Sequence, residues 1–300
     1  MNRQAVAFLV VSAAGFGGTW VAAPWATDEI APLTVACLRF AIAAMLLLGW
    51  CAARRLPLVV HRSDLPVVLG VAATSVVGYN ILFLYGVTLA PASHGAVIVP
   101  SLIPMATLVL GRVLLGSRIA GRQIGGGLVS IVGLGLVVGP ELTGNATTIT
   151  GDLLFAISAS VWAAYTLIGR AATTRIDPAV LTLYGTAIGA IVLLPLALLA
   201  PGGWGTPLEA TARALGSVVY LGSIGTVVSF VAFLQGVRLI GAARASAYTV
   251  LIPVFGLSLT VTLLGEQLTP LALVGAAIVF VGLRLTQSAA RQPAPVVEPA

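Results

Sequence analysis

Apolar runs of about twenty residues, broken by short polar turns, follow one another along the whole chain. A helix needs about 20 apolar residues to cross the hydrocarbon of a bilayer. Ten segments of that kind are predicted: Gln4–Ala23, Pro32–Cys51, Asp64–Leu84, Ala92–Leu114, Gly121–Val138, Gly151–Gly169, Pro178–Leu199, Ala212–Leu234, Ala242–Leu264 and Thr269–Leu285. The first run continues to Ala23, so it reads as a retained helix rather than a cleaved leader. After Gln287 the apolar pattern stops and prolines 293, 295 and 299 appear, which predicts a disordered tail over 287–300.

The pattern repeats at long range. Ser93–Ser117 reads SHGAVIVPSLIPMATLVLGRVLLGS, and Ala243–Glu266 reads ARASAYTVLIPVFGLSLTVTLLGE. Both carry a proline mid-segment, Pro104 and Pro253, and both close on Leu-Leu-Gly. A fixed long period marks a duplicated chain. Five segments per half give two repeats, 1–146 and 147–286, and an odd number of crossings inserts the second copy upside down relative to the first.

Composition supports a membrane setting. The chain is 59% hydrophobic and 8% charged, against roughly 25% charged in a soluble domain. All 15 basic residues are arginine. With both termini in the cytoplasm, the cytoplasmic turns receive Arg54, Arg55, Arg62, Arg112, Arg118, Arg122, Arg170, Arg175, Arg238 and Arg244. The outer turns receive Arg213 and the acids Asp28, Glu29, Glu141, Asp152, Glu209 and Glu266. This is the asymmetry that fixes orientation in a cell, or bacterial inner, membrane. Equivalent turns also switch charge: Gly86-Val87-Thr88-Leu89 becomes Gly236-Val237-Arg238-Leu239, as a flipped copy requires. The net charge of +6 therefore reflects topology, and no nucleic-acid partner is expected.

The chain resembles the EamA family of the drug/metabolite transporter superfamily. The residues that carry the likeness are Leu38-Arg39-Phe40, Tyr85-Gly86-Val87 through Ala90-Pro91-Ala92-Ser93, the mid-helix Pro104 and Pro253, and Leu264-Gly265-Glu266. It spans Val6 to Leu285. One departure is Ser117, where such proteins commonly carry an acid. The resemblance implies an all-α membrane protein of ten transmembrane helices in two inverted five-helix repeats. It also implies a central cavity lined by helices 3, 4, 8 and 9, with 1 and 6 nearby, and export of small metabolites, amino acids among them.

Candidate site residues follow from helical faces. Pro100, Pro104 and Pro253 sit inside apolar segments, where each removes a hydrogen bond and frees a carbonyl, so they are candidate hinges of a gate. Polar and aromatic groups mix on single faces. The candidate substrate contacts are Trp20, Tyr79, Asn80, Phe83, His94, Ser101, Trp162, Tyr165, Ser229 and Tyr248. Rings together with small polar groups suit an amphipathic ligand. Arg39 lies roughly 10 Å into its segment. It either reaches helix-end carbonyls or faces the bundle and attracts a substrate carboxylate. Gly121 with Gly125, and Gly135 with Gly139, are candidate close-packing pairs within the bundle.

Absences narrow the chemistry. No phosphate loop and no nucleophile–base or metal set is present, so neither an enzyme nor a cofactor is expected. Cys37 and Cys51, fourteen residues apart in one segment, read as small core residues. Asp64, Asp152 and Glu266 fall at segment ends, leaving no acid mid-helix. Intramembrane carboxylates are the usual relays of coupled pumps. The expectation is therefore facilitated transport, or weak coupling through His94. The favoured reading is a secondary exporter of amino acids with aromatic or apolar side chains, working by alternating access as a monomer or weak homo-oligomer. Drug, nucleotide-sugar and vitamin transport, a passive channel and a membrane scaffold are the alternatives.

Overall fold

The computed structural model describes residues 2–116, 119–138, 146–200, 204, 206–241, 245–267 and 269–288. Ser117, Arg118, Gly139, Glu141, Arg244 and the tail from residue 289 lie outside the described residues. The long elements are all helical: α1 (Arg3–Thr27), α2 (Pro32–Ala53), α3 (Arg62–Leu89), α4 (Ala92–Leu115), α5 (Gly121–Val138), α6 (Ala146–Ala172), α7 (Pro178–Leu199), α8 (Ala212–Ile240), α9 (Ser246–Leu264) and α10 (Pro270–Ser288). Among the described residues, α1–α4 and α6–α8 are long and apolar enough to cross a bilayer, and α5, α9 and α10 are shorter apolar helices. Apolar side chains such as Met45, Val113 and Ile191 stand exposed on the outside of the bundle. A monomer in water rarely exposes so much contiguous apolar surface.

The helix packing has an internal regularity. α2 packs on α7 and α5 on α10; α4 packs on α6 and α9 on α1; α3 packs on α6 and α8 on α1. Exchanging α1–α5 for α6–α10 maps this set of contacts onto itself. The two Leu-Leu-Gly endings also play one structural role. Gly116 (φ 66°) closes α4 and Gly265 (φ 71°) closes α9, both in the left-handed conformation that glycine adopts without a Cβ penalty.

Three features differ from the sequence reading. The close glycine packing between α5 and α10 uses Gly126 and Gly133 against Gly282 and Gly275. Gly121, Gly125 and Gly135 face open space instead. Second, α6 begins at Ala146, so Asp152 stands in its second turn rather than at its end. Third, α3 and α8 each contain a π-helical segment, Ala72–Gly78 and Ser223–Val228. In a π turn the amide reaches back five residues, leaving backbone groups for other partners.

The two ends of the bundle are chemically unlike. At one end Glu29 meets Thr211, Glu266 meets the start of α4, and Asp152 meets His94. At the other, Arg175 pairs with Asp64 at 3.1 Å and Arg238 with Asp177 at 3.7 Å. We refer to these as the acidic and the arginine-rich ends.

Candidate functional site

The π segments prepare a polar node in the middle of the bundle. The Ser75 carbonyl accepts from Asn80 Nδ2 at 2.7 Å, and the Leu221 carbonyl from Thr226 Oγ1 at 2.7 Å. Both side chains lie five residues beyond the carbonyl they cap. Their outer atoms then receive Arg39. Its Nε donates to Thr226 Oγ1 at 2.8 Å, its Nη1 to Asn80 Oδ1 at 2.8 Å and its Nη2 to the Gly225 carbonyl at 3.4 Å. Arg39 is only 2% exposed, so it does not snorkel to either end. Each of these three hydrogen-bond acceptors is neutral. A buried guanidinium held by neutral acceptors keeps a full charge in a medium where charge is costly, and gains most from an anion.

Beside this node the aromatic residues form one continuous cluster. Trp162 lies at its centre, 4.8 Å from Tyr79, 5.0 Å from Tyr165, 5.2 Å from Phe230 and 5.3 Å from Phe16 between ring centroids. Tyr79 stacks on Phe83 at 5.7 Å, and Phe83 meets Trp20 edge-on at 5.0 Å. Trp20 continues the cluster to Phe155. Such edge-to-face pairs are favourable beyond their area. Two polar atoms within the cluster are orphaned: Trp162 Nε1 and Tyr165 Oη are buried and have no hydrogen-bond partner. Buried donors are nearly always paired in folded proteins, and an exception calls for an explanation.

The acidic end carries a second polar group. His94 Nδ1 lies 3.1 and 3.2 Å from the two Asp152 carboxylate oxygens, joining α4 to α6. Both residues are buried. In the same turn of α4, Glu266 accepts from the Ala92 and Ser93 amides at 3.1 and 3.0 Å. These are orphan donors of the first turn of α4, and a carboxylate there is also favoured by the helix dipole. Glu29 does the same for Thr211, which caps α8. Hydrogen bonds from the Thr211 amide and hydroxyl, with Arg213 near by, hold the Glu29 carboxyl below the usual carboxylate range.

The remaining candidates are placed differently. Ser101 donates to the Val97 carbonyl and Ser229 to the Ile224 carbonyl, so both hydroxyl protons are committed within their own helices. Tyr248 borders a void of about 10 Å³ between α1, α8 and α9, near Ser12 and Phe233. Pro100 and Pro104 lie inside α4. Pro253 follows a 3-10 stretch, Ser246–Val250, where the Leu251 amide bonds the Tyr248 and Thr249 carbonyls. The carbonyl four residues before Pro253, that of Thr249, is therefore bonded, whereas the sequence predicts that this proline frees it. A lateral groove of about 540 Å³ opens at the acidic end between Trp25, Arg213, Tyr220 and Leu263, and no candidate substrate residue lines it.

Thus Trp20, Tyr79, Phe83, Trp162 and Tyr165 come together, with Asn80 joined through Arg39. His94, Ser101, Ser229 and Tyr248 lie outside that cluster. Sequence reasoning missed Phe155, Phe230, the Gly225 carbonyl and the Asp152–His94 pair. Asp152 was hidden by the polar run Thr147-Thr148-Ile149-Thr150, which resembles a turn but is helix.

Comparison with known proteins bears on the activity. The model of the EamA-like transporter family matches twice, over residues 3–139 and 149–287. A probable terminal-alkyne amino-acid exporter of Streptantibioticus cattleyicolor is 30% identical over 258 residues, covering 86% of this chain and 82% of that protein. An uncharacterized transporter of Archaeoglobus fulgidus is 26% identical over 280 residues, covering 92% and 95%. A probable amino-acid metabolite efflux pump of Escherichia coli is 27% identical over 185 residues, covering 59% and 61%. A solved crystal structure aligns with a TM-score of 0.73 over 98% of this chain and 100% of its own, at 19% identity, and so speaks to the fold alone.

Proposed function

This chain belongs to the EamA-like transporter family, and from that premise we propose that it exports amino acids with aromatic or apolar side chains, without ATP hydrolysis. The observation that carries this reading is the buried Arg39, held by neutral acceptors, one of them Asn80 beside Tyr79 of a ring cluster with two unpaired donors. A substrate carboxylate would replace neutral hydrogen bonds to Arg39 with charge-assisted ones, which are roughly twice as strong. Trp162 Nε1 and Tyr165 Oη would donate to substrate polar atoms. Tyr79, Phe83, Trp20 and Phe230 would take the apolar side chain. The relatives named as amino-acid exporters support the same class.

Alternating access follows from the proposed architecture: ten spans in two inverted repeats, 1–146 and 147–286, with both termini cytoplasmic and the acidic end outside. The exchangeable packing contacts and the doubled family match support the repeat. The arginine-rich end supports the orientation through the positive-inside rule. In this reading the structure is an occluded state, closed by the rings, with Pro100, Pro104 and Pro253 absorbing the bend as one half rocks on the other. The packed ring cluster argues against a passive channel, which needs a continuous polar path.

The test uses proteoliposomes and a panel of labelled amino acids. Saturable efflux of phenylalanine- or leucine-like substrates is expected, with little flux of their carboxamides. Arg39→Gln should lower substrate affinity about tenfold or more, as expected for losing a charged hydrogen-bond partner. Equal transport of acids and carboxamides, or unchanged affinity in a folded R39Q, overturns the reading.

A further inference from the structure

We propose that the His94–Asp152 pair is a proton-binding site whose occupancy, together with Glu266, latches the acidic end of α4 against α6. The two residues face each other across a helix interface and are 4% and 8% exposed. Their charge depends on one proton. With a neutral imidazole the pair carries one negative charge; with a protonated imidazole it carries none. A net charge at a dry site is costly, whereas a hydrogen-bonded ion pair without net charge is tolerated. The protonated pair therefore belongs to the closed packing, and the deprotonated pair favours separation and hydration.

The surroundings make that charge change mechanical. α6 is pressed onto the α3–α4 corner with no spare room. A Cβ added to Gly151 would lie 2.6 Å from the Ala90 Cβ, and one on Gly86 or Gly95 would lie 2.6 or 2.7 Å from the Phe155 ring. The pair is nearly dry as it stands, and its full hydration needs α6 and α4 to move apart. Glu266, from the turn after α9, holds the first amides of the same helix. Two carboxylates from different elements thus grip the opening turn of α4, one of them through a titratable histidine.

α1 turns Trp20 toward Gly95, and its only basic residue, Arg3, is at the opposite end. The last turns of α3 contribute only the tyrosines Tyr79 and Tyr85. α9 contributes only Tyr248. Arg112 on α4, Arg122 on α5 and Arg170 on α6 all lie at the arginine-rich end. Among the described residues, Asp152 and Glu266 are the acids bonded to the opening turn of α4. On the alternating-access reading, a proton taken up from outside would close this end.

The experiment measures opening directly, with no substrate present. Nitroxide labels at Thr88→Cys on α3 and Val261→Cys on α9 report the width of the acidic end; the native cysteines 37 and 51 are buried. In wild-type background the wide population should rise about fivefold or more from about pH 5.5 to about pH 8.5, the range over which histidine titrates. Asp152→Asn and His94→Gln should each flatten that dependence. Glu266→Gln should raise the wide population at every pH while keeping the slope. A flat wild-type profile, or a wild-type slope in either pair variant, overturns the proposal, and H94Q decides if D152N does not fold. Because nothing is transported in this measurement, its outcome is independent of the substrate assignment.

Discussion

Trp162 pays a visible cost for its place at the centre of the rings. Its indole N–H and the Tyr165 hydroxyl are buried without partners, and an unsatisfied buried donor costs roughly 1–3 kcal/mol. A residue there for packing alone could be Phe without that penalty. Trp162→Phe separates the two roles. If the N–H serves the substrate, substrate affinity falls about five- to tenfold, while the melting temperature of the empty protein stays level or rises. Isothermal titration and melting in detergent read both quantities. A lower melting temperature with unchanged affinity would reassign Trp162 to packing. The mixing of rings with small polar groups on α1, α3 and α6 made Trp20, Tyr79, Phe83, Trp162 and Tyr165 legible in the sequence. The serines were legible only as polar residues. Nothing in a sequence tells that Ser101 and Ser229 spend their protons on carbonyls of their own helices.

At the scale of elements, spacing predicts contact but not direction. The pairs Gly121/Gly125 and Gly126/Gly133 both have helical spacing, yet only the second faces α10. A Cβ on Gly133 would come within 2.6 Å of the Gly275 carbonyl and the Val279 amide. These are backbone atoms that cannot step aside. Gly133→Leu should therefore part α5 from α10 and cost on the order of 1–3 kcal/mol, the usual range for overpacking. Gly135→Leu, which points into open space, should cost nothing measurable. Thermal unfolding in detergent compares the two, and equal stability would remove the seam from the fold's supports. The π segments escaped the sequence for a related reason. Their freed carbonyls are capped from within the same helices by Asn80 and Thr226, and Arg39 from α2 then joins the two segments. Composition marks neither segment, because the capping side chains are themselves held by Arg39 of another helix.

For the whole molecule, the long-range repeat was the strongest signal, and the structure gives it physical content in the matching left-handed glycine closures of α4 and α9 and in contacts that survive exchange of the two halves. The relation of those halves to the membrane is a separate question, on which the charges at the two ends make a prediction. Arg54, Arg62, Arg170 and Arg238 gather at one end, while Glu29, Asp152 and Glu266 gather at the other. Moving arginine-rich turns across a membrane opposes the rule that holds basic turns in the cytoplasm. An impermeant maleimide applied to intact cells should therefore label Thr88→Cys and Glu209→Cys directly. It should label Arg55→Cys and Thr174→Cys only after permeabilisation. All four positions are exposed in the structure, and the native Cys37 and Cys51 are buried and should stay silent. Thr88 ends α3 and Arg238, its counterpart in the repeat, falls near the end of α8. The same sequence motif must then sit on opposite faces, so labelling of Thr88→Cys and Arg238→Cys from the same side would dismantle the inverted repeat while leaving the helix packing untouched.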